Sequence, residues 1–369
     1  MAQIFINNHF LKSEFTAAKE GVGRLHVAWR LVGLVRKIWR AICFCVHWLM
    51  VLLALPLFAL YTKFGRRDRF LSTRYACRSD KELGVVSLVA DALNAAVSDE
   101  DVVKDVWVVY GSVKARCSTH HVIRRTIWLV SNVIVLEQPP INRGVVTHEY
   151  TSSSFRVGLN GFLRENCFSM LSPEIIRHKE GDSCMSDAAP QPVVSDDLSR
   201  AMIVGQLPGD ASLGGVDIFD WIEQVVVLIE NTYREIVIRT PQVGYQNYQR
   251  RLSKMLCKRN VTLEVGTYEN KSEAIRSASC VFSYSSTFSV DVLRFGIMQC
   301  VDSTGSFLFG VFPTSVRYIG ASDPVAHQPT LIDLETRYTE ISAIECNAND
   351  FTGASVLPRL LVNRLNRVC

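Results

Sequence analysis

Three short stretches of this 369-residue chain combine residue types that can handle anions and protons. The first, CVFSYSSTFSVDVLRFGIMQCV (280–301), sets Ser285, Ser286 and Thr287 between an apolar strand-like run and a helix-like run closed by Gly296. Unpaired N–H groups and hydroxyls at such a turn can hold a phosphate, or the hydroxyls simply cap the helix. The second, VGQLPGDASLGG (204–215), comes after another apolar run. Gly205 and Gly209 let backbone approach a ligand, and Gln206 or Asp210 can reach sugar or base hydroxyls, although turn chemistry alone also explains Pro208-Gly209-Asp210.

The third group lies in the first half of the chain. Glu137 ends the apolar run NVIVLE, where active-site carboxylates of α/β sheets often sit; an ion pair with Arg143 is the competing role. His121, in VVYGSVKARCSTHH, is a second candidate base, because imidazole titrates near neutral pH. SFRVGLNGFLREN (154–166) offers Arg156 and Asn160, with Arg156 suited to a phosphate, an acidic sugar or a surface ion pair.

Elements that alternate in type must position these residues. GVVSLVADALNAAV has helical apolar spacing, DVWVVY and NVIVLE read as buried strands, and IRRTIWLV is either a helix or the lead into NVIVLE. After the polar, Pro- and Ser-containing stretch 178–199, expected to be a linker, the pattern restarts. RAMIV, EIVIRTP, VTLEVG and CVFS read as strands, DIFDWIEQVVVLIENTY, YQRRLSKMLCKR and KSEAIRSA as helices, with Asp217 a predicted N-cap. Such alternation predicts two α/β units around parallel sheets.

Residues 41–62 contain no Asp, Glu, Lys or Arg and reach the length of about 20 residues that spans a bilayer. A basic amphipathic run with Arg30, Arg36, Lys37 and Arg40 precedes them, and KFGRRDR comes after, so charge at the flanks does not orient a span. A buried core helix and a dip into one leaflet are the other readings. The eleven cysteines show no C-x-x-C spacing and no Cys/His cluster, so no metal site is expected. The formal charge of +4, concentrated in the first 70 residues, does not mark a nucleic-acid groove.

Taken together, FSYSSTFSVDVLRFGIMQCV, EIVIRTP, GQLPGDASL, VLEQPPINR, SFRVGLNGFL and ECNANDFTGASVLPRLL resemble segments of glycosyltransferases with two Rossmann-like domains (GT-B-like), nearest to capsule- and lipopolysaccharide-type enzymes and their bacteriophage relatives. The resemblance implies a domain at 70–185 that presents the acceptor, a nucleotide-sugar domain at 200–340 and a closing helical segment at 341–369. A membrane-associated segment at 1–69 lies outside it. It also implies donor phosphates at Ser285, Ser286 and Thr287, with Arg239 offsetting their charge and Gly205, Gln206 and Asp210 closing over the donor. On the acceptor side it implies Glu137 or His121 as base, with Arg143, Arg156 and Asn160 as positioning groups. The nucleotide-sugar is a co-substrate, and no metal or other cofactor is implied.

The implied acceptor is a glycan or a lipid-linked glycan, with modified DNA not excluded, and the catalytic body is expected to be cytosolic and membrane-associated. IRTPQ has no histidine where the family often places one, and Tyr284-Ser285 stand where an asparagine is usual. A catalytically inactive, membrane-anchored glycan- or partner-binding protein is therefore one alternative. A luminal type II glycosyltransferase is the other, with sequons at Asn260 and Asn270.

Overall fold

The computed structural model describes residues 42–56, 70–98, 101, 106–111, 119–138, 140, 154–182, 199–208, 210–243, 245–256, 260–267, 269–320, 328–352 and 355–368. The apolar runs of the first half form a central sheet because each is uninterrupted enough to be covered on both faces. A helix over 42–56 (α1) comes first. After it come β1 (Phe70–Leu71), α2 (Asp80–Ala96), β2 (Val106–Tyr110), α3 (Thr119–Val130), β3 (Val133–Glu137) and β4 (Ser154–Leu159), then the short α4 (Arg164–Phe168) and α5 (Pro173–Asp182).

Val106, Val108 and Tyr110 of β2 face α2, which buries Val86, Val89, Ala90 and Leu93 at helical spacing. Trp107 and Val109 face the opposite way, toward Ile127 of α3. Beside the carboxyl end of β2, Glu82 of α2 is buried between two cations, 2.8 Å from Arg124 of α3 and 2.6 Å from Arg78.

The second half continues with β5 (Arg200–Val204), α6 (Ile218–Ile229), β6 (Glu235–Pro241), α7 (Tyr245–Leu256), β7 (Val261–Gly266), α8 (Lys271–Arg276), β8 (Cys280–Ser283), α9 (Phe288–Val292) and β9 (Met298–Val301). Its sheet runs β7-β6-β5-β8-β9 and every neighbouring pair is parallel. This is one Rossmann half, with its order reversing between β5 and β8. Asp217 caps α6 by accepting from Phe219 N–H at 2.8 Å, and Gly296 closes the turn after α9 with a positive φ of 63°.

After α10 (Ser315–Ile319) and α11 (Leu331–Ala343) the chain returns to the first domain. There β10 (Glu345–Asn347) pairs antiparallel with β4, and α12 (Leu357–Val368) buries Leu357, Leu361, Val362 and Leu365 in the same core as α2. Arg359 of α12 donates to Ala96 O and to the Asp101 carboxylate, at 2.8 and 2.6 Å. The Ser98 N–H, and then Arg359, hold that carboxyl down at about 2.

Two expectations change. The first sheet, ordered β1-β2-β3-β4-β10, is mixed and not Rossmann-like throughout, because β4 runs antiparallel to β3. After β4 the chain turns back so closely that a Cβ on Gly158 would lie 2.2 Å from Gly161 O. The expected linker begins later than 178, since α5 runs to Asp182 and Lys179 pairs with Asp350 at 2.6 Å. No helix among the described residues is long and apolar enough to cross a membrane, and residues 41 and 57–62 of the charge-free run lie outside the described residues.

Candidate active site

The carboxyl ends of the strands from both sheets face one cleft of about 310 Å³, near the lower size limit of small-molecule sites. From the second domain come Gly205, Gln206, Leu207, Asp210 and Ser212 after β5, Pro241 at the end of β6, and Ser285, Ser286 and Thr287 after β8. These loops flank the point where the strand order reverses, the crevice in which open α/β sheets hold their ligands. From the first domain come Glu137 and Gln138 at the end of β3, Arg156 of β4, and Phe162 and Leu163 of the returning chain. The loop after β9 adds Gly305 and Phe307.

A hydrogen-bonded chain fixes the second domain's wall. Ser285 N–H donates to Gln206 Oε1 at 3.0 Å, and Gln206 Nε2 donates to Ser285 Oγ and Ser212 Oγ at 3.1 and 3.0 Å. Ser212 N–H and Oγ in turn donate to Asp210 Oδ1 at 2.9 and 2.8 Å. Gln206 is thus the strut between the β5 loop and the serine turn. Ser286 Oγ accepts from Phe288 N–H at 3.2 Å, so capping is the role it fills here, whereas Thr287 makes no side-chain cap bond. Because α9 spans only five residues, the turn's capacity for an anion rests on its own N–H and hydroxyl donors more than on a helix dipole.

Gly205 is required by close approach. A Cβ there would lie 2.8 Å from the hydroxyl of the fully buried Tyr248 and 2.9 Å from its ring. Tyr248 cannot yield without losing the bond it donates to Gln206 O. Gly205→Ala is expected to cost about 1–3 kcal/mol by overpacking, read as a lower denaturation midpoint with unchanged slope.

On the first domain's wall the geometry is set by Arg156, which is paired in register with Glu137. Its guanidinium lies between two aromatic rings, 5.8 Å from the centroid of Phe162 and 5.1 Å from that of Phe307, one from each domain. Arg156 is only 5% exposed, and its Nε and Nη1 have no hydrogen-bond partner. Glu137 and the buried Glu345 flank it in register on the two neighbouring strands, and its two buried N–H groups stay unfavourable until an acceptor meets them. Glu137 is partly exposed, and its Oε1 accepts from Gln138 N–H at 3.1 Å.

The cleft therefore brings together Glu137, Arg156, Gly205, Gln206, Asp210, Ser285, Ser286 and Thr287. Three other candidates fall elsewhere, and a fourth is not among the described residues. Arg239 does not line it, because β7 lies beside β6 in register and presents Glu264 to its Nη1. Arg239 Nη2 donates to Asn270 Oδ1 at 2.6 Å and to Thr267 O at 2.7 Å. Burial lowers the guanidinium's pKa and Glu264 opposes that shift. The ring of Phe288 at the start of α9 is 5.7 Å away, so Arg239 supports the serine turn from behind.

Asn160 sits at the opposite end of β4, with φ 54°; it accepts from Val133 N–H at 2.9 Å and closes the reversal of the chain. His121 is buried on α3, outside the cleft lining, and Arg143 lies outside the described residues. The Asn270 amide donates to Val265 O at 3.0 Å, which ties down the side chain a glycan would need.

Phe162, Leu163, Ser212, Pro241, Gly305 and Phe307 were not foreseen from the sequence. Gly305 and Phe307 belong to STGSF after β9, and the rule that loops after parallel strands converge is the signal that reaches them. Among the described residues, no group of three or more His, Cys, Asp or Glu is placed to hold a metal ion.

A wholly parallel β7-β6-β5-β8-β9 sheet facing a mixed α/β domain across a cleft defines an α/β protein with a ligand site at its strand ends. No protein-family model and no curated protein matches the sequence. Among solved structures the chain is similar to Thermosulfurimonas dismutans KpsC, beta Kdo 2,4 transferase, with 13% identity and a TM-score of 0.48 over 82% of this chain and 99% of that one. It is also similar to the same organism's KpsC, beta Kdo 2,7 transferase, with 14% identity and a TM-score of 0.42 over 76% and 92%.

Proposed function

We propose that the chain is a membrane-associated glycosyltransferase that moves a sugar from a nucleotide-sugar to a glycan or lipid-linked acceptor. The observation that carries this reading is the buried Arg156, whose Nε and Nη1 have no acceptor, paired in register with Glu137 and lining the same cleft as the Ser285–Thr287 turn. A cation, a carboxylate and a set of hydroxyl and N–H donors are what displacement of a phosphate-linked sugar calls for.

In this reading the second domain holds the nucleotide at the strand-order reversal, with the donors of the serine turn toward its phosphates. Glu137 accepts the proton of the acceptor hydroxyl as that oxygen attacks the anomeric carbon, and the carbon–oxygen bond to the nucleotide breaks with its electrons leaving on phosphate. Arg156 and the turn meet the charge that develops there, so the step requires no resident metal or cofactor. Asp210 keeps the Ser212 turn in shape and is not the base. The body is placed in the cytosol, where nucleotide-sugars are made available to it.

The test is thermal unfolding of the full chain with a panel of nucleotides and nucleotide-sugars. A ligand at about 100 times its Kd stabilises by roughly 2.7 kcal/mol, a clear shift. The expected result is a shift with one nucleotide family. Absence of any shift from folded protein rejects the transferase and favours the inactive binding protein.

A further inference from the structure

Helix α1 has two distinct faces. At 100° per residue, His47, Trp48 and Val51 fall on one side, and His47 and Val51 are buried. The guanidinium carbon of Arg125 on α3 lies 5.0 Å from the centroid of the Trp48 ring, so this side docks on the first domain. The other side carries Ile42, Cys45, Val46, Leu49, Met50, Leu52 and Leu53, all exposed, and Phe44, near the start of the docked side, is 53% exposed as well.

A spanning α1 would have to pull Trp48 and Val51 off the domain. The sequence on both sides supplies the second argument: residues 24–67 contain eight Lys or Arg and no Asp or Glu. Basic flanks at both ends of an apolar face match an anionic surface that both ends can reach. In a two-fold pair of such helices packed antiparallel, the same flanks would bring like charges together, so a second copy fits this face poorly.

We infer that α1 lies in the plane of one leaflet of an anionic bilayer, with its exposed face inserted about 5–10 Å and its inner face held by α3. The segments before and after it then stay on the same side of the membrane, and the α3 side of the first domain rests at the lipid surface. This deepens the membrane association proposed above and rests on it, but is independent of the chemistry assigned to the cleft.

The test uses the full chain, tagged at both termini. Flotation is expected with sealed vesicles containing phosphatidylglycerol and at least about tenfold weaker with phosphatidylcholine alone or in Leu49→Glu/Leu53→Glu. The two leucines are exposed, so the melting temperature of that variant should match the parent's and separate lost binding from lost folding. In sealed membranes from expressing cells, protease should remove both tags from the same side. Protection of the N-terminal tag alone would overturn the in-plane placement while leaving membrane association standing. No flotation would overturn both, and a solution dimer that Leu49→Glu/Leu53→Glu dissociates, without flotation, would assign the face to a second copy instead. Flotation unchanged in the double variant would also overturn the inference.

Discussion

Glu137→Gln is expected to lower the rate of sugar transfer about 10²- to 10⁴-fold, the range for losing a positioned general base, while nucleotide-sugar binding stays within about threefold. The substitution keeps size and shape, and the amide oxygen can still accept from Gln138 N–H, the contact that orients the carboxylate. The strand beneath is rigid, since Ile134 through Leu136 are fully buried and paired on both edges. The effect should therefore fall on kcat and leave stability unchanged. Once the panel names the donor, single-turnover release of nucleotide in the presence of acceptor reads it. His121→Gln, on a helix outside the cleft, is the control and should leave the transfer rate of folded protein within about threefold. A Glu137→Gln enzyme that retains most of its kcat would remove Glu137 from the chemistry.

The parts of this site that were legible in the sequence share a physical cause. Gly205, Gln206 and the serine turn come directly after RAMIV and CVFS, and Glu137 ends VIVLE. All three runs are apolar throughout because their strands are covered on both faces, and the residues next in the chain emerge at the carboxyl end of the strand. The features that could not be read depend on which strand lies beside which. Arg239 was placed at the donor phosphates by the resemblance of EIVIRTP, yet the register of β6 against β7 puts Glu264 opposite it. That pairing is set by sheet order and not by local spacing.

The same limit hid the mixed first sheet, since SFRVGL reads alike whether it runs with β3 or against it. The sandwich around Arg156 joins residues about 150 positions apart, so no window of sequence contains it. Membrane association shows the reverse case. The charge-free length of 41–62 suggested a span, but length does not report that one side of the helix is already used by α3.

Arg156→Met is expected to move stability and binding in opposite directions. Leaving two N–H groups of a buried cation without an acceptor costs about 1–3 kcal/mol, and stacking on two rings returns about 0.5–2 kcal/mol. The balance is a net strain in the free protein on the order of 1 kcal/mol. Methionine fills similar space with no polar atom and keeps favourable contact with Phe162 and Phe307. Without ligand the variant should therefore unfold at a higher denaturant concentration than the parent. Affinity for the nucleotide-sugar should fall, because a charge pair formed in a dry site is worth about 2–5 kcal/mol when one partner is removed, or about 30-fold and upward in Kd. Arg156→Lys keeps the charge but loses the planar stack and the two-pronged geometry, and should recover only part of the affinity. If Arg156→Met instead lowers stability and leaves binding intact, the guanidinium is a packing element between the domains, and the anion is held by the serine turn alone. The predicted opposition of signs is what separates a cation kept for a ligand from a cation kept for the fold.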